Sequence, residues 1–168
     1  YRSNEEDFRR ILLRQRVLVD MTDRSLATTM AGQPVSMPVA LAPTGMTGMQ
    51  HADGEILAAQ AAEAFGVPFT LSTMSICSIE DVAANTTKPF WFQLYVMKDR
   101  DFIAALIARA KAAKCSALML TLDLQILGQR HKDLRNGLSA PPKFTPRHVW
   151  QMATRPAWCL RMLGTKRR

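Results

Sequence analysis

The sequence predicts an α/β protein built from consecutive βα units with parallel strands, and three observations predict it. Four short apolar runs begin near residues 38, 67, 90 and 117. Helix-forming sequence follows the first three, and each run gives way to polar side chains, at Thr44, Ser72, Gln93 and Thr121. The runs start 29, 23 and 27 residues apart, enough for a helix between neighbouring strands. Such crossovers join parallel strands with a right-handed sense.

The first element is an arm over 3–30, helical and then extended. Ser3 or Asn4 can cap it, Glu5, Glu6 and Asp7 suit a helix N-terminus, and Ile11, Leu12 and Leu13 supply apolar contacts. After "AGQPVSMP" the pattern changes to the buried run Val39-Ala40-Leu41-Ala42 and the turn Pro43-Thr44-Gly45. An Ala-rich helix is expected over 53–65, with Asp53 as its cap and Gly66 as its stop.

The unit recurs. Val67–Leu71 ends in Ser72-Thr73, and Ser78-Ile79-Glu80-Asp81 opens a short helix with a capping-box pattern. Phe90–Phe92 runs into Gln93 and Tyr95, and a helix over 100–113 places Phe102, Ile103, Leu106, Ile107 and Ala110 on one face. Ala117–Leu120 ends in Thr121-Leu122-Asp123. In α/β folds ligands bind at the C-terminal ends of the strands, so an amide and a phenol leaving a buried strand read as parts of a site. No G-x-G-x-x-G follows the first strand, which weakens a Rossmann reading. The period suits a (β/α)8 barrel, which needs eight units and about 250 residues. Four units in 168 residues are half of one.

Composition bounds the class. With 48% hydrophobic and 21% charged residues the chain can build a core and is not a disordered tail. No uncharged apolar run is long enough to span a bilayer, because the best stretch, 101–122, carries Asp101, Arg109, Lys111 and Lys114. The chain opens on Tyr1 rather than Met, so a natural N-terminus upstream is expected. Cys77, Cys115 and Cys159 lack metal-ligand spacing and read as reduced thiols of a cytosolic protein. The net charge of +8 gathers late. Beyond Asp133 there is no acid, and Lys143, Arg147, Arg155, Arg161, Lys166, Arg167 and Arg168 interleave with Phe144, Trp150 and Trp158.

The strings "LRQRVLVDMT", "SMPVALAPTGMTGM", "PFTLSTMSICSIEDVA", "FWFQLYVMKDRD" and "LTLDLQILGQRHKDLRNG" resemble, in order and spacing over residues 1–138, the FMN-dependent 2-hydroxy-acid dehydrogenase family. Within it they are most similar to the bacterial respiratory L-lactate dehydrogenases; residues 139–168 match only loosely. The resemblance implies an FMN-linked TIM barrel, represented by the N-terminal arm and first four βα units in 1–138, with 139–168 a basic, mobile loop after the fourth strand. It implies oxidation of an L-2-hydroxy acid, L-lactate to pyruvate, with electrons passed to a membrane quinone or a cytochrome. The full-length enzyme is expected to be a homo-oligomer, cytoplasmic or peripheral on the inner face of the cell membrane, with no nucleic-acid partner.

Residue roles follow from the same resemblance. Ala42, Pro43, Thr44 and Gly45 correspond to a flavin-facing turn, and small residues there allow close backbone approach; an ordinary βα turn is the alternative. Ser72, Gln93 and Thr121 correspond to FMN contacts, hydroxyls and an amide suiting a pyrimidine edge that alternates donors and acceptors. Tyr95 corresponds to the active-site tyrosine that hydrogen-bonds the substrate, against a Tyr straddling core and solvent. Arg130 matches an arginine near the substrate, against a solvated loop charge. Asp123 matches the aspartate that orients the catalytic histidine and stabilises its imidazolium, against a cap on the next turn. That histidine is none of His51, His131 and His148, which read as surface or loop residues. The flavin-edge lysine, the carboxylate-binding arginine and the phosphate site are also outside the chain. Residues 1–168 alone are therefore expected to be inactive.

The segment 147–168 has six basic residues and no acid. Basic residues with Trp suit an anionic membrane interface; a solvated basic tail is the alternative. A rival for the whole chain is a basic module binding nucleic acid or a membrane surface without catalysis. It leaves the polar strand ends unexplained.

Overall fold

The computed structural model describes residues 2–123, 128–137 and 145–167. The chain runs as helix α1 (Arg2–Arg10), a hairpin of β1 (Thr28–Met30) and β2 (Gln33–Val35), a short helix α2 (Thr47–Gln50), and then alternating helices and strands. These are α3 (Gly54–Phe65), β3 (Thr70–Leu71), α4 (Ile79–Ala84), β4 (Trp91–Tyr95), α5 (Arg100–Ala112) and β5 (Ala117–Thr121). Three further helices follow, α6 (His131–Arg135), α7 (Pro146–Ala153) and α8 (Pro156–Gly164).

The parallel arrangement is as expected. Strands β3, β4 and β5 lie side by side in chain order, with Thr70 beside Trp91 and Gln93 beside Met119. The first expected strand, Val39–Ala42, shrinks to one parallel bridge between Leu41 and Phe69. Pro38 and Pro43 bracket it without N–H donors, and among the described residues only its β3 side is paired: Leu41 N–H donates to Pro68 O at 2.8 Å and Thr70 N–H to Leu41 O at 3.1 Å. Sequential neighbours, all parallel, make a mixed α/β fold; no closed barrel forms among the described residues.

Alternation along β4 sorts its side chains. Phe92 and Leu94 point to the helices and join Leu71, Ile79, Val82, Ile103, Leu106 and Ala110 in the core, which Ile56, Ala59 and Ala62 of α3 extend. Trp91, Gln93 and Tyr95 share the other face, where Trp91 Nε1 donates to Gln33 Oε1 at 2.8 Å and ties the hairpin to the foot of the sheet. That hairpin has no counterpart in the sequence reading. It turns on Ala31 and Gly32, with φ of 46° and 78°, the two left-handed residues that a tight two-residue hairpin loop requires.

Helix signals were legible. Gly66, at φ 82°, ends α3 by donating to Ala62 O and Glu63 O, a left-handed stop. Ser78 and Asp81 form the reciprocal capping box of α4. Asp99 caps α5 by accepting from Phe102 N–H at 3.0 Å, but Phe102 itself stays 45% exposed rather than joining the buried face of Ile103, Leu106 and Ala110.

Three expectations are corrected. The N-terminal helix ends at Arg10, and Ile11, Leu12 and Leu13 are 72%, 84% and 97% exposed instead of packed; a nine-residue helix with no buried face has no tertiary contact to prolong it. Asp53 occupies the N-cap position of α3 but, at φ 55°, makes no cap bond; its Oδ1 instead accepts from Thr165 Oγ1 and Arg167 Nη1. The expected loop over 139–168 carries α7 and α8, each opened by a Pro in its first turn. Of its basic and aromatic residues, Lys143, Phe144 and Arg168 lie outside the described residues.

Candidate active site

Gln93 is not at the exit of its strand but within it, with no exposed surface. A buried amide must satisfy its polar atoms, and this one does so across three strand ends. Its Nε2 donates to Thr121 Oγ1 at 2.8 Å, and its Oε1 accepts from Ser72 Oγ at 3.3 Å and from Thr73 N–H at 3.1 Å. Ser72 Oγ in turn accepts from Met74 N–H at 3.1 Å. Because Thr121 accepts from Gln93, its own O–H remains available to donate outward. The three residues expected together are thus one hydrogen-bonded row along the ends of β3, β4 and β5.

The turn Ala42–Gly45 lies beside that row. Met46 N–H donates to Met74 O at 2.8 Å, and a Cβ built on Gly45 would stand 3.3 Å from Met74 Cβ and 3.9 Å from Ser72 Oγ. Gly45 therefore turns its bare side toward the segment after β3. Ala42 and Thr44 are exposed, Pro43 is half-buried, and the turn is open on its remaining side.

Tyr95 ends β4 half-buried, its N–H donating to Thr73 Oγ1 at 3.2 Å, while Thr73 Oγ1 also hydrogen-bonds Gln93 O. The hydroxyl of Thr73 thus locks the end of β3 to the end of β4, a role the sequence reading missed. A Ser-Thr pair after an apolar run was the available signal. Asp123 and Arg130 are not brought into the row. Both are exposed, and Arg130 pairs with its helical neighbour Asp133 at 3.9 Å. They follow β5, beyond which no described strand offers a partner.

Two further residues missed by the sequence reading brace this end of the sheet. Glu55, in the first turn of α3, is only 1% exposed and accepts from Gly48 N–H at 2.9 Å and Ile76 N–H at 3.0 Å. Burial pushes its carboxyl up, but those donors and the Cys77 thiol outweigh it, and Glu55 titrates below its ordinary range. Burial, then the same carboxylate, pushes the Cys77 thiol up to about 12. Cys77 therefore stays a protonated thiol, and no group of acids, thiols and imidazoles able to hold a metal occurs among the described residues. Arg167 bridges the N-termini of α3 and α4, with Nη1 3.1 Å from Asp53 Oδ1 and Nε 2.7 Å from Asp81 Oδ1. Trp158 Nε1 donates to the Met49 and Gln50 carbonyls, so α8 is docked on the segment that follows the small-residue turn.

Residues 1–168 match the FMN-dependent dehydrogenase family along the whole sequence. The chain belongs to that family. Its structure is similar to (S)-mandelate dehydrogenase, a monotopic membrane protein, at 33% identity and a TM-score of 0.87, covering 96% of this chain and 43% of the other. It is similar also to a mandelate oxidase variant with (S)-mandelic acid bound, at 34% identity and TM-score 0.76 over 82% of this chain and 41% of the oxidase. A protein assigned as a lactate oxidase from Pediococcus acidilactici matches at 30% identity and TM-score 0.78, over 90% and 42% respectively. The chain thus spans less than half the length of these relatives. The family's cofactor is FMN, and the residues present fit it. With Gln93 buried between them, the Thr121 hydroxyl keeps its hydrogen to donate and the Ser72 oxygen a lone pair to accept, a donor and an acceptor for a flavin's pyrimidine edge, beside a turn without bulky side chains.

Proposed function

We propose that this chain is the first half of an FMN-linked (β/α)8 barrel that oxidises an L-2-hydroxy acid, with L-lactate as substrate and pyruvate as product. The observation that carries the reading is the Ser72–Gln93–Thr121 row beside the Ala42–Gly45 turn. Bound FMN supplies the two-electron redox chemistry. Gln93, held on both polar atoms, sets the directions of the Ser72 and Thr121 hydroxyls before any ligand arrives, so little reorganisation is needed on binding. Tyr95, half-buried at the end of β4, presents its phenol to the substrate hydroxyl. Asp123 and Arg130 complete their roles, orienting the base histidine and holding the substrate, against chain outside these 168 residues.

Electrons leave to a membrane quinone or a cytochrome, and α7 and α8 supply the contact with the bilayer. They carry Val149, Trp150, Leu160 and Leu163 at 58–70% exposure among Arg147, Arg155 and Arg161, a composition that suits an anionic interface. No described helix is long and apolar enough to cross a membrane. A monotopic protein among the similar structures supports a peripheral mode of contact. The full-length enzyme is a homo-oligomer on this reading.

The test is the full-length protein, titrated with FMN and assayed with L-lactate and (S)-mandelate. Flavin uptake with higher kcat/KM for L-lactate is expected; preference for mandelate overturns the substrate, and no uptake overturns the whole reading. Tyr95→Phe should keep FMN and lose roughly 2–4 kcal/mol of transition-state stabilisation, read as lower kcat. A raised KM at unchanged kcat makes Tyr95 a binding residue only.

A further inference from the structure

Glu55 is a buried carboxylate that the functional reading does not use. Its Oε1 holds two backbone N–H groups from different segments, Gly48 after the small-residue turn and Ile76 after β3. Its Oε2 is buried with no hydrogen-bond partner of ordinary geometry among the described residues. Taking a carboxylate out of water costs several kcal/mol, which the two N–H donors on Oε1 and the Cys77 thiol offset. The segments it joins are in unusually close contact. A Cβ on Gly48 would fall 2.7 Å from Ile76 Cβ and 2.8 Å from Glu55 Oε2, so the approach exists only because residue 48 is glycine.

Both segments continue into the site. Gly48 lies three residues past Gly45, and Ile76 four past Ser72, with the Met46–Met74 hydrogen bond between the two pairs. A shift at Gly48 and Ile76 must therefore change how far the Gly45 turn stands from the Ser72 hydroxyl.

We propose that Glu55 is a positioning residue for the flavin site, its carboxylate clamping Gly48 to Ile76 and so fixing the gap between the Gly45 turn and Ser72. The proposal rests on the reading that these two segments face FMN. Glu55 touches neither cofactor nor substrate in this role; it acts through the two loops.

The test uses the full-length flavoprotein with Glu55→Gln, Glu55→Ala and Gly48→Ala. The readouts are FMN dissociation constant, visible circular dichroism of the bound flavin, and the melting temperature of the apoprotein. Glu55→Ala breaks the clamp and Gly48→Ala wedges it open from the opposite side. Both should weaken FMN by roughly tenfold or more, the scale seen when supporting hydrogen bonds of a site are lost, and alter the flavin dichroism in the same sense. Glu55→Gln keeps Oε1 and can point its amide at the Cys77 sulfur, so it should stay within about threefold of wild type. A lower apoprotein melting temperature with unchanged FMN affinity and dichroism in Glu55→Ala overturns the proposal, leaving an ordinary structural tie. Equal losses in Glu55→Gln and Glu55→Ala also overturn it, because charge rather than the clamp would then matter. Should Glu55→Ala fail to fold, an unchanged affinity and dichroism in Gly48→Ala overturns it alone. A wild type that takes up no FMN is a separate result, which sinks the underlying functional reading and this proposal with it.

Discussion

The two ends of the candidate site differ in how far they are built. Gln93 and Thr121 sit on paired strands and Ser72 directly follows one, and each side chain is held by the next. Asp123 and Arg130 follow the last strand, and both stand in solvent. The sequence marks both sets in the same way, as polar residues after an apolar run. What separates them is the neighbour: a polar side chain acquires a fixed direction only when a second element reaches it. Leu118 and Leu120, on the same face of the sheet as Phe92 and Leu94, are about half exposed for the same reason.

The comparison breaks most easily at Gln93. Gln93→Leu fills the space but leaves Thr73 N–H and the Ser72 and Thr121 hydroxyls facing an apolar group. A buried polar atom deprived of its partner costs about 1–3 kcal/mol, so a stability loss of roughly 3 kcal/mol is expected in the full-length protein by urea unfolding. FMN affinity should fall as well. Arg130→Ala, by contrast, should stay within about 0.5 kcal/mol of wild type in stability. If the two variants unfold alike, the inner row is no better organised than the outer pair.

The same contrast explains what could be read in advance. The cap at Ser78, the stop at Gly66 and most of the apolar face of α5 were legible because each is a local signal within a few turns of helix. The strands beginning at Trp91 and Ala117 were legible through uninterrupted apolar runs. The hairpin at 28–35 was not, since Ala31-Gly32 is a weak turn signal and Gln33-Pro34-Val35 does not read as a strand. Nor could the sequence show that Gln93 would be walled in by Ser72 and Thr73 while Arg130 would not, because that depends on residues 20 and more positions away. Glu55 was invisible for a related reason: a Glu in the first turn of a helix ordinarily faces water and favours the helix dipole.

A smaller effect is expected at Gly45, where the inner row meets the turn. The Cβ position points at Met74 and Ser72 rather than into open space, so Gly45→Ala acts by moving that segment a few tenths of an ångström, not by blocking the site. Close packing transmits such a shift to the flavin-facing surface. On the dehydrogenase reading, the reduced full-length enzyme should reoxidise faster with a soluble quinone than with oxygen, and Gly45→Ala should change the oxygen rate. Stopped-flow reoxidation of wild type and variant measures both. Equal wild-type rates with oxygen and quinone sink the dehydrogenase assignment, whereas an oxygen rate untouched by Gly45→Ala sinks only the packing argument.

The smallest expected effect lies on the outer surface, between α4 and α5. Arg109 grips Glu80 with both ends of its fork, Nε to Oε1 at 2.8 Å and Nη2 to Oε2 at 2.6 Å. That pairing, a charge-assisted bidentate bond, pulls the Glu80 carboxyl down to about 2 from an ordinary 4.5. The folded state therefore holds the carboxylate more tightly than the unfolded chain does. Its stabilisation is fully present above pH of about 4.5 and is lost as pH falls through about 2, below which both states are protonated. Both side chains are about half exposed, at 56% and 45%, so water and salt screen them and the pair is worth only about 0.2–1 kcal/mol. Urea unfolding of wild type and Glu80→Gln should show that small advantage at pH 7, less of it in 1 M salt, and almost none at about pH 1.5. An advantage that persists at about pH 1.5 means the neutral carboxyl holds Arg109 equally well, and the charge contributes nothing. An advantage well above 1 kcal/mol means that the outer helices are braced as firmly as the inner row, and the contrast between the two regions fails there.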